Sequence, residues 1–259
     1  MLDETIISKA IIDTFTKQFI GNLKVDVIIA GAGPSGLVAS KFLSEAGLKT
    51  IIFERKLSVG GGMFGGGMMF NIIVVQNDAK RILDLYNINT DEYESNYYVA
   101  DAVETVSKLT AGAINAGVKI YNLISVEDVK IDDKNHICGA VINWTAVEMA
   151  KLHVDPMTFE SKCLIDATGH DIEIVKTFLR KVPGVELMTP TGTLMGESSM
   201  NAEKGEKMLL DTTKEIWPGL FVTGMAANAV SGGERMGPIF GGMLLSGEKV
   251  AQLIIRKLS

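Results

Sequence analysis

This 259-residue sequence predicts an α/β fold with a central parallel sheet and a small antiparallel β-meander. Three observations carry that expectation. Val25–Ala30, Lys49–Phe53, Lys162–Asp166 and Leu220–Thr223 are short, mostly apolar runs, the pattern of strands covered on both faces. The first two flank a helical stretch at 34–46, giving β-α-β order. Runs near 124–131 and 137–144, joined by the polar turn Asp132-Asp-Lys-Asn135, read as a hairpin.

Along the chain, residues 4–20 place Ile6, Ile7, Ala10, Ile11, Thr14, Phe15 and Phe19 at helical spacing between Lys9, Asp13 and Lys17. They predict an amphipathic helix lying on the body of the fold or on a partner subunit. Residues 60–69, Gly-Gly-Gly-Met-Phe-Gly-Gly-Gly-Met-Met, carry side chains that favour burial, unlike a polar linker. Helices are expected at about 76–86 and 98–116, a strand at Gly117–Tyr121, and a long closing helix at 239–257. No repeat or sharp change of composition divides the chain, so residues 1–259 are read as one domain.

Composition excludes several classes. Hydrophobic residues make up 47% and charged residues 22%, which suits a packed globule and not a disordered chain. With 25 basic and 31 acidic residues and a pI near 5.2, neither nucleic acid nor an anionic membrane is an expected partner. No apolar run reaches bilayer-spanning length, and the acidic start Met-Leu-Asp-Glu is unlike a signal peptide. Two cysteines, Cys138 and Cys163, are too few for a disulfide framework and suit a reducing cytoplasm as the location.

Gly31-Ala-Gly33-Pro-Ser-Gly36 is G-x-G-x-x-G, and its setting makes it informative: it follows a strand, opens a helix, and precedes an acid, Glu54, at the end of the next strand. The first glycine permits the turn and the second lets backbone approach a pyrophosphate. The third allows close helix–strand packing. The helix N-terminus supplies amides and partial positive charge, and Glu54 would accept from a ribose. The expected ligand is an adenine dinucleotide, NAD or FAD. The strands Leu164-Ile-Asp-Ala-Thr-Gly169 and Pro218-Gly-Leu-Phe-Val-Thr-Gly224 resemble the two-dinucleotide-binding flavoprotein type of Rossmann-like fold. In that group an acid commonly follows the late glycine; here Met225 stands there, which disfavours flavin.

Three histidines complete the polar inventory. His136 lies in a polar turn and reads as solvated. His153-Val-Asp155 places two polar side chains on one side of an extended segment. His170 follows the carboxyl end of a strand, where open α/β sheets bind ligands. Two imidazoles and a carboxylate with open positions suit Fe(II); two unrelated histidines are the alternative. Arg235, among the glycines of Ser231–Gly242, can grip a carboxylate bidentately or form a surface ion pair.

Taken together, Gly31–Gly36, Glu54-Arg55, Gly60–Met69, His153-Val-Asp155-Pro156, Ala167-Thr-Gly-His-Asp171 and Arg235-Met-Gly-Pro238 resemble the thiamine thiazole synthase family nearly end to end. The resemblance implies an Fe(II)-dependent transferase of thiamine biosynthesis that takes NAD as substrate and releases nicotinamide. It would join the remaining ADP-ribose to glycine and sulfur as adenosine diphosphate 5-(2-hydroxyethyl)-4-methylthiazole-2-carboxylate. It implies that Gly31, Gly33, Ser35, Gly36, Glu54, Arg55 and Gly62 hold the ADP portion and that Val126 meets the adenine. Met225, His153, Val154 and Asp155 would line the same ligand. Arg235 would hold the glycine carboxylate, Asp155 and His170 the iron, and His153 would move protons. A homo-oligomer, such as an octamer, with sites shared between subunits is implied as well. In the plant and fungal branch a cysteine at the position of His153 gives up its own sulfur; histidine cannot. The chain therefore resembles the archaeal branch, expected to use free sulfide over many turnovers. Two other activities fit the same fold: a flavin-dependent oxidoreductase, and an isomerase of the ribose-1,5-bisphosphate type. A non-catalytic NAD- or metal-binding regulator would leave Arg235 unexplained.

Overall fold

Val27–Ala30 is a strand with no polar residue and no exposed one, so it can lie only at the centre of a sheet covered on both sides. The computed structural model describes residues 1–259 and places it there. In chain order the elements are α1 (Glu4–Gly21), β1 (Val27–Ala30), α2 (Pro34–Glu45), β2 (Thr50–Glu54), β3 (Ile72–Val75), α3 (Asn77–Leu85), β4 (Asp91–Glu94), β5 (Tyr97–Asp101), α4 (Ala102–Asn115), β6 (Lys119–Asn122), β7 (Ile124–Ile131), β8 (Ile137–Trp144), α5 (Thr145–Met149), β9 (Met157–Glu160), β10 (Cys163–Asp166), α6 (Glu173–Lys181), α7 (Ala202–Thr212), β11 (Lys214–Trp217), β12 (Leu220–Val222), α8 (Met225–Ser231) and α9 (Gly241–Leu258). The central sheet runs β11-β12-β10-β1-β2-β6, parallel except for β11 at one edge.

Alternation along β1 divides the interior. Val27 and Ile29 face a cluster built with α2, α3, α4 and α9, while Ile28 and Ala30 face one built with β7, β8, β9, α6 and α8. Two glycines set how closely α2 packs. A Cβ at Gly36 would lie 2.3 Å from the Gly31 carbonyl oxygen, and one at Gly247 on α9 would lie 2.4 Å from that of Ser35. Helix α2 is thus pressed between β1 and α9 with no room for a methyl on either side.

Two findings depart from the sequence reading and a third refines it. Residues 98–101 are not the start of a helix: Tyr97–Asp101 pairs antiparallel with β3 and β4 in a second small sheet. The aromatic and β-branched residues there favour a strand, and Asp101 caps α4 by accepting from Glu104 N–H at 2.7 Å. Residues 152–156 are exposed without regular structure, not a strand. Finally, α1 buries no residue fully. Only the side chains of Phe15 and Phe19 reach the body, meeting Tyr121 and Phe159 edge to face and packing against Trp144, while Ile6, Ile7, Ile11 and Ile12 stay exposed. No helix is long and apolar enough to cross a membrane.

Candidate functional site

A cavity of about 530 Å³ opens at the carboxyl ends of β1, β2 and β10, within the size range of small-molecule sites. Its floor is Gly31, Gly33, Pro34 and Ser35. Gly31 holds φ +104° against the Ala167 carbonyl oxygen, where a side chain has no place. Pro34 opens α2, so the first-turn amides of the helix have no partner within it and face the position an anion would take.

Glu54 is buried and accepts from Ala32 N–H and Lys56 N–H, each at 2.8 Å. It ties the glycine turn to the end of β2 and retains lone pairs for a ligand. Beside it, Arg55 is gripped by Glu173 and by Asp171 at 2.6 Å. Burial opposes the guanidinium charge, but the Glu173, Asp171 and Glu148 carboxylates together outweigh it and raise its pKa. Burial pushes the Glu173 carboxyl up, against the pull of Arg55.

Behind the cavity, Asp166 is fully buried. It accepts from Thr168 N–H (3.0 Å) and Oγ1 (2.6 Å) and from Ile174 and Val175 N–H (3.2 and 3.1 Å). Burial pushes its carboxyl up despite these four donors. It fixes the turn that carries His170 into the cavity wall. Val126, Met225, Arg235, Met236, Gly237 and Phe240 line the same cavity. Gly224, just before Met225, lies over Ser35, where a Cβ would meet its Oγ at 2.5 Å.

Of the residues the sequence reading selected, Gly31, Gly33, Ser35, Glu54, Arg55, Gly62, Val126, His170, Met225 and Arg235 line one cavity. Gly36 sits behind it as a packing position. His153, Val154 and Asp155 do not line it; they lie on the exposed strap after α5, tethered where Asn143 Nδ2 donates to the Val154 carbonyl (3.2 Å). Within one chain no three His, Cys, Asp or Glu side chains converge as a metal site. Neither cysteine is on the cavity wall. Cys163 is buried in β10 with its thiol pushed up to about 12 by burial, and Cys138 is half-buried on β8. Sequence reasoning missed Glu173 and Glu197, which meet Arg55 and His170 respectively. Only the fold brings such residues together, and no local motif marks them.

The Thi4 family profile matches residues 8–240. The chain belongs to the Thi4 family. Family relatives named thiamine thiazole synthase are similar over their whole length. That of Methanococcoides burtonii is 58% identical over 99% of each chain, and that of Pyrococcus furiosus 52% identical over 100% of this chain and 99% of its own. The crystal structure of Thermovibrio ammonificans THI4 superposes with a TM-score of 0.97 at 47% identity, covering 100% of this chain and 99% of that one. This Thi4 chain is accordingly an enzyme of thiamine thiazole biosynthesis. A geranylgeranyl bacteriochlorophyll reductase-like protein from Thermoplasma acidophilum, with a TM-score of 0.58 at 14% identity over 91% of this chain and 79% of its own, shares the Rossmann-like flavoprotein fold alone.

Proposed function

We propose that the chain is a sulfide-dependent adenosine diphosphate thiazole synthase. In this reading it takes NAD, glycine and sulfide as substrates, releases nicotinamide, and turns over repeatedly with Fe(II). The observation that carries the reading is the composition of the cavity wall: a dinucleotide cradle, His170 and Arg235 share it, and no cysteine does. Histidine at position 153 and thiols that lie off the wall support a sulfur source outside the chain.

The roles follow from placement. The α2 amides and Gly33 take the pyrophosphate, and Glu54 and Arg55 take the adenosine side, Arg55 exchanging part of its carboxylate pairing for the ligand. Arg235, exposed at the far end of the cavity, orients the carboxylate that glycine brings, so that its amine faces the ribose carbon exposed by loss of nicotinamide. His153 moves protons during the enolisation and dehydration steps.

The donor chemistry fits a ferrous ion: an imidazole whose Nδ1 is already engaged, and an exposed carboxylate, Asp155. Because Asp155 is off the cavity wall of its own chain, a second copy would supply it, which makes the site shared in a homo-oligomer. Bound there, iron would lower the pKa of sulfide and present it as a nucleophile.

Anaerobic incubation with NAD, glycine, sulfide and Fe(II) tests the reading. Adenylated thiazole should accumulate well beyond the enzyme concentration, and a Cys138→Ser, Cys163→Ser double variant should retain this turnover. His170→Ala and Asp155→Ala should lose both iron and sulfur incorporation. Product limited to one equivalent, wild-type turnover in either variant, or a stoichiometric flavin released on denaturation would overturn it.

A further inference from the structure

Residues 195–201 run beside 230–235 as a short ladder. Met195 N–H donates to Val230 (3.1 Å) and Ser198 N–H to Gly233 (3.0 Å), while Arg235 N–H donates back to Ser198 (3.3 Å) and Asn201 N–H to Arg235 (2.9 Å). Glu197 lies inside this ladder, so the backbone fixes its position relative to Arg235. Its side chain is only 19% exposed, although it reaches the mouth of the cavity. There the carboxylate divides: Oε1 meets His170 Nδ1, and Oε2 lies 3.8 Å from Arg235 Nε.

We propose that Glu197 is a positioning residue that sets the tautomer and ring direction of His170. An ionised carboxylate only accepts hydrogen bonds, so the Nδ1 facing it must carry the proton and Nε2 is left with a lone pair. His170 is 52% exposed, so packing alone does not hold its ring. The Arg235 contact is long and its side chain 59% exposed, which makes that ion pair a weak restraint. The ladder is therefore what keeps Glu197 in place, and Glu197 in turn directs the imidazole. The proposal rests on the synthase reading only in what Nε2 is for: presenting a lone pair to a divalent cation. A carboxylate behind a ligating histidine is worth about 10- to 100-fold in metal affinity.

The test uses the full-length chain, free of metal and substrate, with 15N-labelled histidine. Only three histidines are present, and the His170 signals are those lost in His170→Asn. At a pH where the ring is neutral, wild type should show the Nδ1–H tautomer. Glu197→Ala should shift toward Nε2–H, and Glu197→Gln, whose carbonyl still accepts, should restore the wild-type form. Anaerobic titration with Co(II) should give about 10- to 100-fold weaker binding in Glu197→Ala and recovery in Glu197→Gln. An Nε2–H ring in wild type, or an Ala variant that keeps the Nδ1–H form, would overturn the proposal. Because the tautomer is read without metal, it decides on Glu197 by itself. A wild-type chain that takes up no Co(II) would instead overturn the metal role of His170.

Discussion

Two glycines of the fingerprint, three residues apart, should respond to the same substitution in opposite ways. At Gly36 an added Cβ would sit 2.3 Å from the Gly31 carbonyl oxygen and 3.3 Å from Ile29 Cγ2. Ordinary contact begins near 3.5 Å, so α2 would have to retreat by about 1 Å. It cannot do so freely, because Gly247 already brings α9 onto the Ser35 carbonyl on its other side. Gly36→Ala is therefore overpacked by about 1–3 kcal/mol. At about 2–4 °C per kcal/mol for a chain of this size, its melting temperature should fall by about 2–12 °C. Gly33 has φ −73°, and a Cβ there meets nothing in the chain within 4 Å. Gly33→Ala should melt like wild type or slightly higher, by about 0.4–1 kcal/mol of chain-entropy gain. Its methyl instead projects into the space assigned above to the pyrophosphate. A clash of about 1–3 kcal/mol transferred to the ligand weakens binding roughly 5- to 150-fold. Thermal melting and calorimetric titration with ADP-ribose separate the two effects. Wild-type ADP-ribose affinity in Gly33→Ala, or wild-type melting in Gly36→Ala, would refute the assignment of pocket and packing roles.

Two further expectations concern side chains that hold the segments next to Phe240 and Arg235. Half-buried Glu206 accepts from Gln76 Nε2 (2.5 Å) and Gly242 N–H (2.6 Å), its second oxygen has no partner, and burial pushes its carboxyl up. The folded state thus holds this proton more tightly than the unfolded chain, a stabilisation present below about pH 4.3 and lost as pH rises through the folded value. Glu206→Gln keeps an acceptor without the charge, so it should melt above wild type at pH 7, with the gap closing toward pH 4; melting curves across that range check it, and a gap independent of pH contradicts it. Fully buried Asn228 donates to the Glu234 carbonyl (3.2 Å) and accepts from Thr212 Oγ1 (3.1 Å), holding the loop that presents Arg235. Asn228→Ala should cost about 2–4 kcal/mol and raise the KM for glycine while ADP-ribose affinity stays near wild type; equal losses for both ligands would show general unfolding instead.

The parts of the molecule legible in the sequence are those whose signal is local. The run Val27–Ala30, the glycine turn and Glu54 lie within 28 residues of one another, and β-α-β order follows from their spacing. The hairpin of β7 and β8 announces itself through a polar turn between two β-branched runs. Tyr97–Asp101 was obscured because it runs without a break into α4, and only pairing with β3 distinguishes strand from helix there. The site divides the same way. His170 and Arg235 belong to recognisable segments, whereas Glu197 and Glu173 gain their meaning from partners 27 and 118 residues away. The strap at 152–156 was read as extended from its alternating polar residues, yet it pairs with no strand of its own chain.

The close seating of Gly247 on Ser35 has a consequence for synthesis on the ribosome. The N-terminal end of α2 leaves the ribosome early, but the helix that presses it onto the sheet is made roughly 210 residues later. At about 5–20 residues per second, the nascent chain carries an unbraced glycine turn for roughly 10–40 s. For the first part of that interval β1 also lacks β10, its neighbour on one side, so both the glycine turn and its sheet are then incomplete. The glycine turn thus acquires its final bracing only when the last helix of the chain has been made.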